Sequence, residues 1–353
     1  MSKGHHQQNT DSHHFGSRRI RVIFVLPIAF VVALAAFLIT RAAYSPPASV
    51  TVSKPHDNSD YQIKRLTEYK FIRPLLSAKP VYESEDYRAI KRSVSDLIQQ
   101  YKDQGLILSA SLYMRDFDKS NWTAINQNEK YHPGSILKIP VLMTILKEDE
   151  DHPGFIDESV AFVFRFQYDE PKHQSIMSKQ IEFGKKYTRR ELLKYMIEYS
   201  DNNATELLWM SMDKNVFAKM FEEFGMARPD MNATNIPLSA QECSLFMESL
   251  FNATYLNIKQ CEFAIDLLTK STFDEGIVKG IQSDKLVIAH KFGESGTERN
   301  RELHETGLLY IDGRPYLITV MTRGKDNVEY AKLATVIQGI SRQVYDGLTQ
   351  RQH

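Results

Sequence analysis

Two parts of the chain differ in how hydrophobic and polar residues are arranged. Residues 22–40 form an apolar run without a single charge, close to the roughly 20 residues that a bilayer-spanning helix needs. Beyond residue 60, apolar positions instead recur with helical or alternating spacing, as in elements that bury one face in a core. The pattern predicts one transmembrane helix followed by a folded unit.

The flanks of the apolar run predict its orientation. Four basic residues lie within positions 1–21, whereas Arg41 and Lys54 follow the run. The positive-inside bias places residues 1–21 in the cytoplasm as a polar tail and everything after residue 40 outside it. A cleaved signal peptide is the alternative, because small residues follow Arg41. The apolar run exceeds the usual 7 to about 15 residues of a signal-peptide core, which favours an uncleaved anchor.

Residues 41–60 are rich in Pro and Ser and are predicted to form an extended linker. The folded unit then covers residues 61–353. Apolar spacing predicts a helix from Ser84 to Gln104, then two strands, then a long helical middle and three strands near the C-terminus before a closing helix. The predicted strands are 106–117, 121–126, 286–292, 305–311 and 314–322, and the closing helix is 327–348. Strands at both ends of a helical middle predict an α+β fold, in which both ends contribute to one antiparallel sheet.

Charge and cysteine content narrow the function classes. Lys plus Arg and Asp plus Glu both total 44, so the balance gives no reason to expect a nucleic-acid partner. Cys243 and Cys261 are the two cysteines, and both lie in apolar, helix-like surroundings. Buried thiols are the favoured interpretation there, with a disulfide as the alternative.

A serine and a lysine stand three residues apart at a predicted helix start. Ser135 follows Pro133 and Gly134, a turn that suits helix entry, and Lys138 lies on the same helical face. A lysine so placed can accept the serine hydroxyl proton if burial lowers its pKa. Ser211 and Lys214 have the same spacing, but no turn precedes Ser211, so a structural role within a helix is predicted for it.

Two further elements supply polar groups of the right kind. Ser200, Asp201 and Asn202 follow a predicted helix that opens with a capping box at Thr188 and Glu191. A hydroxyl and a carboxamide in a turn can relay a proton and hold a substrate amide, although ordinary turn chemistry explains such residues too.

Lys291 and Gly293 lie near the end of a predicted strand. The lysine can provide positive charge for a substrate carboxylate and help to hold a neighbouring serine hydroxyl. The glycine lets a substrate lie along an edge strand. Taken alone, a lysine at such a position is usually just solvated.

The three elements follow one another with about 65 and about 91 residues between them. In this order the chain resembles class A β-lactamases and related penicillin-binding proteins, whose signature is S-x-x-K, S-D-N and K-T-G. The resemblance extends from about residue 84 to about residue 348, and it implies the β-lactamase/transpeptidase-like fold. It implies that Ser135 is the acylated nucleophile, Lys138 the proton acceptor and Ser200 the proton relay.

The resemblance also implies how a substrate is bound. Asn202 holds a substrate amide, Lys291 is the electrostatic anchor and Gly293 lines the edge strand. The backbone amides of Ser135 and Glu294 form the oxyanion hole. The implied substrates are β-lactams or peptidoglycan peptides, no metal or cofactor is required, and the location is the bacterial cytoplasmic membrane with the catalytic unit outside.

Two positions depart from the family pattern. Class A β-lactamases carry a deacylating glutamate in a loop after S-D-N, with an asparagine four residues on, and residues 226–240 contain no glutamate. Asp230, with Asn235 five residues later, is the acidic residue of this loop, while Glu242 is predicted to form a capping box with Ser239. Phe292 stands where the family has Thr or Ser, and Ser295 or Thr297 are the candidates to replace that hydroxyl.

These departures favour a hydrolase of D-Ala-D-Ala-type peptides, with slow deacylation, over an efficient β-lactamase. A β-lactamase and a catalytically inactive cell-wall binding or scaffold protein are the alternatives.

Overall fold

Along the chain, groups of strands are followed by single helices or by groups of helices. The computed structural model describes residues 61–66, 74–164, 179–231, 236–283, 286–297 and 299–350. The strands are β1 (Tyr61–Arg65), β2 (Leu75–Pro80), β3 (Ile107–Asp116), β4 (Asn121–Ile125), β5 (Ser159–Ala161), β6 (Lys186–Thr188), β7 (Val287–Ser295), β8 (Glu302–Ile311) and β9 (Arg314–Gly324). The helices are α1 (Arg88–Asp103), α2 (Lys138–Asp151), α3 (Arg189–Glu198), α4 (Asn202–Ser211), α5 (Lys214–Glu223), α6 (Ala240–Phe251), α7 (Ile258–Leu268), α8 (Ile277–Ile281) and α9 (Tyr330–Thr349). Short 3₁₀ turns cover Glu85–Tyr87, Gly134–Leu137 and Phe155–Asp157.

The central sheet joins the two ends of the folded unit. Its five strands lie in the order β4-β3-β9-β8-β7, and every neighbouring pair is antiparallel. Two strands therefore come from before the helical middle and three from after it. This confirms the predicted α+β fold with an antiparallel sheet completed by N- and C-terminal parts.

Each face of the sheet covers its own hydrophobic core. One core includes Ala289 and Leu308 and lies between the sheet and the helical middle. The other includes Phe292 and Leu309 and lies between the sheet and the helices α1, α8 and α9. Because successive side chains of a strand point to opposite faces, neighbouring positions of β7 belong to different cores.

Local hydrogen bonds explain several element boundaries. Thr188 and Glu191 form the predicted capping box of α3, and Ser239 and Glu242 form that of α6. Asp312 and Gly313 have φ values of 48° and 78°, which suit the tight hairpin turn predicted between β8 and β9.

The strands that border the site are longer than predicted. β7 continues past Phe292 to Ser295, and β8 begins at Glu302 instead of Glu305. These added residues are mostly polar, so a hydrophobic pattern ends before they do. They stay in the sheet because Ser295 pairs with Glu302 and Glu294 pairs with Leu303.

The predicted cytoplasmic tail, transmembrane helix and linker at 1–21, 22–40 and 41–60 lie outside the described residues. Within the described part of the chain, no helix has both the length and the apolar character needed to cross a bilayer. Cys243 and Cys261 are both buried and unbridged, which confirms the prediction of buried thiols.

Candidate active site

The serine of the first motif lies on a short turn that leads into a buried helix. Ser135 belongs to the 3₁₀ turn Gly134–Leu137 and is partly exposed, and Lys138 is the first residue of α2. The two side chains are three residues apart, which places them on one side of the helical path. The lysine is 3% exposed, so α2 carries it into the interior directly beneath the turn.

Two glycines allow this turn to touch the edge strand β7. A Cβ built on Gly293 would lie 3.0 Å from the Ser135 amide nitrogen and 2.9 Å from that of Ile136. A Cβ on Gly134, whose φ is +54°, would lie 3.0 Å from the Glu294 amide nitrogen. Any larger residue at either place would push the two backbones apart. The amides of Ser135 and Glu294 are thereby brought to the same edge of the sheet.

Lys138 is held by the S-D-N segment. Its Nζ donates hydrogen bonds to the Ser200 carbonyl oxygen at 2.6 Å, the Ser200 Oγ at 3.0 Å and the Asn202 Oδ1 at 2.9 Å. In its charged form the amine has three hydrogen atoms, one for each of these acceptors. The structure therefore joins the first two motifs through one buried amine.

Ser200 has a backbone conformation that non-glycine residues seldom adopt. Its φ is +57°, between the end of α3 and the start of α4. The bond from Lys138 to its carbonyl oxygen helps to hold it there. Asp201 fixes the other side of the turn, because its carboxylate accepts hydrogen bonds from the Asn203 and Ile181 amides at 2.8 and 2.7 Å. Such strain is found where surrounding contacts fix a functional side chain.

Lys291 brings the third motif to the same hydroxyl. Its Nζ donates to the Ser200 Oγ at 3.0 Å and to the Phe292 carbonyl oxygen at 3.3 Å, and the side chain is 0% exposed. It also lies 4.1 Å from the centroid of the Phe292 ring. The Ser200 hydroxyl therefore contacts the side-chain amines of both Lys138 and Lys291.

Burial changes the acid–base behaviour of both lysines. Desolvation lowers the pKa of Lys138 to about 7, against the opposing charges of Asp201, Glu294 and Glu206. Burial and the positive charge of Lys138 hold the pKa of Lys291 well below its usual value. At neutral pH a substantial fraction of Lys138 is therefore an uncharged amine that can accept a proton.

A backbone clamp at His132 fixes the turn that carries Ser135. The Glu302 carboxylate accepts the His132 N–H at 2.6 Å, and the His132 carbonyl oxygen accepts the Ser295 hydroxyl at 2.7 Å. His304 Nε2 lies 3.1 Å from the same carbonyl oxygen. Since His304 Nδ1 accepts the Thr322 amide at 3.2 Å, the proton of the neutral ring is on Nε2.

Sequence reasoning missed this clamp because no motif marks it. Burial lowers the pKa of His304, which keeps the imidazole neutral. Arg323 donates to the second carboxylate oxygen of Glu302 at 2.6 Å and so balances its charge. The signal that remained was the pair of polar residues Glu302 and His304, which precede the strand predicted at 305–311.

Glu206 is a second residue that the sequence did not reveal. It is half-buried on α4, four residues after Asn202 and therefore on the same helix face. Burial raises the pKa of its carboxyl group, while the charge of Lys138 lowers it. Glu206 thus lies within electrostatic reach of the lysine of the first motif.

The described part of the loop between α5 and α6 contacts the segment that leads to the nucleophile turn. Leu238 is buried and pairs with Tyr131, each amide donating to the other's carbonyl oxygen at 3.0 Å. Glu242 caps α6 and contacts Lys130, with its carboxylate 2.8 Å from the Ser239 amide. Asp230 is exposed, and Asn235 lies outside the described residues.

The side chain of Phe292 packs in the second core, and its ring also lies 4.1 Å from the Nζ of Lys291. It is 3% exposed and stacks on Phe273 at a centroid distance of 4.2 Å, within the second core. The hydroxyls that could replace a threonine there have other partners. Ser295 donates to the His132 carbonyl oxygen, and Thr297 donates to the Asn300 side chain at 3.0 Å.

The second S-x-x-K sequence lies elsewhere and has a structural role, as predicted. Ser211 is the last residue of α4, where its hydroxyl donates to the Leu208 carbonyl oxygen at 3.1 Å. Lys214 donates to the carbonyl oxygens of Trp209 and Met212 just before α5. Both side chains serve the junction of two helices.

Comparison with known proteins agrees with this architecture. The model of the beta-lactamase enzyme family matches residues 89–348, and no curated protein matches the chain. Among solved structures, a beta-lactamase from Chitinophaga pinensis is 19% identical, with a TM-score of 0.61 over 74% of this chain and 100% of that one. A class A beta-lactamase from Mycobacterium abscessus is 19% identical, with a TM-score of 0.60 over 73% and 99%. A mutant of PBP-A, described as an acyl-enzyme complex with penicillin G, is 18% identical, with a TM-score of 0.59 over 74% and 97%.

The family match covers nearly three quarters of the chain and includes all three motifs. The structural likenesses, at identities below 20%, support the fold alone. The chain therefore belongs to the beta-lactamase enzyme family and has its serine hydrolase fold.

Proposed function

We propose that this protein is a membrane-anchored serine hydrolase that forms an acyl-enzyme on Ser135. Its acyl donors are D-Ala-D-Ala-type peptides of the cell wall, β-lactams, or both. The proposal rests on one observation above all: Lys138 and Lys291 converge on the Ser200 hydroxyl, each at 3.0 Å, beside the turn that carries Ser135.

Acylation uses these groups in sequence. The Ser135 Oγ attacks the donor carbonyl carbon while its proton passes to the uncharged amine of Lys138. The bond from that carbon to the leaving nitrogen or oxygen breaks, and the Ser200 hydroxyl relays a proton to the leaving atom. Asn202 holds the amide of the acyl part, and Lys291 holds the Ser200 hydroxyl in place.

The negative charge of the tetrahedral intermediate needs donors at the edge of the sheet. The amides of Ser135 and Glu294 are proposed as this pair, because Gly134 and Gly293 let the two backbones approach closely. Loss of one such donor typically costs about 2.7 to 4 kcal/mol of transition-state stabilisation.

Deacylation is proposed to be slow. Water must attack the Ser135 ester, and Leu238, the described loop residue that pairs with Tyr131 four residues before Ser135, has no basic group. The Glu242 carboxylate forms the capping box of α6 with Ser239 and an ion pair with Lys130. A general base typically contributes 10² to about 10⁴-fold, so its loss favours a long-lived adduct.

The sequence supports a bacterial membrane location with the catalytic unit outside the cytoplasm. The support is the uncharged run at 22–40 and the basic residues before it. A reporter enzyme active only outside the cytoplasm, fused after residue 353, is expected to be active. An inactive reporter at equal expression would contradict the orientation.

The acyl-enzyme is tested by intact mass. The full chain in detergent is mixed with penicillin G, and its mass is followed over time beside the Ser135→Ala variant. A persistent adduct on the native chain, absent from the variant, is expected.

Hydrolysed penicillin without an adduct would instead indicate a β-lactamase. If penicillin gives neither result, the same assay is run with an N-acyl-D-alanyl ester. Failure with both donors would favour the inactive binding or scaffold protein.

A further inference from the structure

The residue that follows Lys291 is buried and contacts two other side chains through its ring. Phe292 is 3% exposed and stacks on Phe273, with ring centroids 4.2 Å apart and ring planes inclined by 23°. The Nζ of Lys291 lies over the same ring, 4.1 Å from its centroid. Stacked rings and an amine over a ring are both favourable contacts with a defined geometry. The Phe292 ring therefore links the lysine to Phe273.

Phe292 provides two of the contacts that hold the amine of Lys291. This Nζ donates to the Phe292 carbonyl oxygen at 3.3 Å, lies over the Phe292 ring, and donates to the Ser200 Oγ at 3.0 Å. A lysine side chain is flexible, so its amine stays in one place only where several contacts fix it. Loss of the ring contact should therefore let the amine move relative to the Ser200 hydroxyl.

The direction of the Ser200 hydroxyl depends on both lysines. Its oxygen has two lone pairs, and the amines of Lys138 and Lys291 both donate to it at 3.0 Å. The hydroxyl hydrogen therefore points away from both amines. A displaced Lys291 would free one lone pair and let this hydrogen turn away from the leaving atom of a bound donor.

The loop that carries Phe273 is fixed to the helix that precedes Ser200. This loop, residues 269–276, joins α7 to α8. The N–H and the hydroxyl of Thr272 each donate to the Glu198 carbonyl oxygen at 2.9 Å. Glu198 is the last residue of α3, and Ser200 follows two residues later. The loop thus connects the relay serine to the strand of the third motif.

A buried carboxylate fixes the other end of this loop. Glu305 is 0% exposed, and its carboxylate accepts the Ile277 N–H at 2.7 Å at the start of α8. Its other oxygen lies 2.6 Å from the His290 Nδ1. Glu305 also stands opposite Phe292 in the pairing of β7 with β8. Both ends of the loop therefore have fixed positions, and so does the ring of Phe273 between them.

We infer that Phe292 and Phe273 are positioning residues for the proton relay. The stacked rings fix the Lys291 amine, and this amine directs the Ser200 hydroxyl, which must point its hydrogen at the leaving atom. The inference rests on the proposed function and deepens it. It does not alter the carboxylate contact that the family resemblance implies for Lys291.

The leaving group of the donor reveals a defect in this relay. An alkoxide is strongly basic, so the leaving oxygen of an ester must receive a proton as its bond to carbon breaks. A thiol has a pKa of about 8.5, so the sulfur of a thioester can depart as a thiolate. A misplaced Ser200 should therefore slow an oxygen ester more than the matching thioester. A general loss of folded enzyme slows both by the same factor.

The test compares N-acetyl-D-alanyl-D-lactate with N-acetyl-D-alanyl-D-thiolactate, which differ in one atom. In both, the Ser135 Oγ forms a bond to the alanyl carbonyl carbon and gives its proton to Lys138, and the C–O or C–S bond breaks. Lactate leaves with a proton from the Ser200 hydroxyl, which Lys138 replaces. Thiolactate leaves as a thiolate, and Lys138 keeps the proton. Both donors end in the same carboxylate, so any change in carboxylate binding cancels in the ratio of their rates.

Phe292→Leu keeps an apolar side chain in the core and removes the ring. Its single-turnover rate constant for acylation by the lactate is expected to fall about tenfold more than that for the thiolactate. Tenfold is a part of the roughly 10²- to 10⁴-fold that a positioned general acid contributes. Equal losses with the two donors, or no loss with either, would overturn the inference.

Phe273→Leu leaves the Phe292 ring in place and removes its stacking partner. A shift of the ratio in the same direction, by about threefold, is expected. Thermal denaturation shows whether each variant is folded. If Phe292→Leu is unfolded, Phe273→Leu decides alone, and an unchanged ratio in it would overturn the inference.

Phe117→Leu is the matched control. Phe117 stacks on Phe251 with ring centroids 4.0 Å apart and ring planes inclined by 27°, and neither residue belongs to the three motifs or to the loop 269–276. The ratio of the two rates is expected to keep its native value in this variant. A shifted ratio here would mean that any lost stack alters the ratio, and it would overturn the inference.

The native chain separates this inference from the proposed function. If neither donor nor penicillin G acylates Ser135 in the native chain, the proposed function itself fails. An acylated Ser135 together with an unchanged donor ratio in Phe292→Leu overturns the inference alone.

Discussion

Two regions of this protein share the sequence S-x-x-K, yet their surroundings differ in almost every physical respect. Ser135 opens a helix on a partly exposed turn, and Lys138 is 3% exposed with three hydrogen bonds to the S-D-N segment. Ser211 ends a helix, and Lys214 bonds to the carbonyl oxygens of its own neighbourhood. Spacing on a helix provides proximity, whereas burial and tertiary partners provide an amine able to accept a proton.

The largest expected effect separates the two serines directly. Ser135→Ala is expected to lower the rate of acylation at least about 1,000-fold, because the attacking oxygen is gone. Ser211→Ala is expected to keep the native rate, since its hydroxyl bonds to the Leu208 carbonyl oxygen and to Arg189, neither of which belongs to the site. Single-turnover acylation by N-acetyl-D-alanyl-D-lactate measures the rates of both variants. Equal loss of rate in the two would contradict the different roles assigned to Ser135 and Ser211.

The second-largest effect is expected in the acylation rate when Lys138, but not Lys214, is replaced. Lys138→Met keeps much of the buried volume but removes the base, so acylation is expected to fall by about 10² to 10⁴-fold. Lys214→Met loses contacts to two carbonyl oxygens and is expected to cost stability of about 1 kcal/mol without a rate change. Acylation rates and urea denaturation of both variants check this. A comparable rate loss in Lys214→Met would contradict the assignment.

A third difference is the clamp, which Ser135 has and Ser211 lacks. Glu302→Gln replaces a carboxylate with a neutral amide. This weakens the hydrogen bonds that the side chain accepts from the His132 N–H and from Arg323. A displacement of about 1 Å at a reacting group can cost roughly 10²-fold, so a loss of about 10- to 100-fold in kcat is expected.

KM should change less than kcat in this variant, because the clamp fixes the nucleophile turn and not the substrate. His304→Gln is the companion variant, since a glutamine N–H can also donate to the His132 carbonyl oxygen. It is expected to retain more activity than His304→Ala. Equal activity in the two would argue against positioning through that bond.

The smallest expected effect is a shift in pH dependence. Acylation needs the uncharged amine of Lys138, whose pKa is about 7, so the rate should rise with pH through about 7 and level off above it. The Glu206 carboxylate raises this pKa. Glu206→Gln should therefore move the rise to lower pH, and a shift to higher pH would contradict the electrostatic account. Glu222→Gln, on an exposed part of α5, is the control.

Local chemistry explains which features could be predicted from sequence. The capping boxes at Thr188 and Ser239 and the turn at Asp312 depend on neighbours in the chain, and the structure has all three. The strands of the sheet were also predicted, because alternation of apolar residues follows directly from which face is buried.

Long-range pairing explains what sequence could not provide. Glu302 and His304 lie in a strand because their backbones pair with β7 and β9. Their side chains contact the backbone of His132, some 170 residues earlier, and no local pattern encodes that contact. Glu206 looks like an ordinary exposed helix residue until α4 is placed beside Lys138. The sequence shows that Phe292 stands where the family has a hydroxyl residue. Its packing on Phe273 could be seen only once the sheet was known.

The most direct test of the central claim is to find which serine carries the acyl group. The full chain is trapped with penicillin G, denatured and digested, and the modified peptide is sequenced by mass spectrometry. An adduct on the peptide containing Ser135, with the peptide containing Ser211 unmodified, is the predicted result. An adduct on Ser211, or on Ser200 with Ser135 unmodified, would contradict the account.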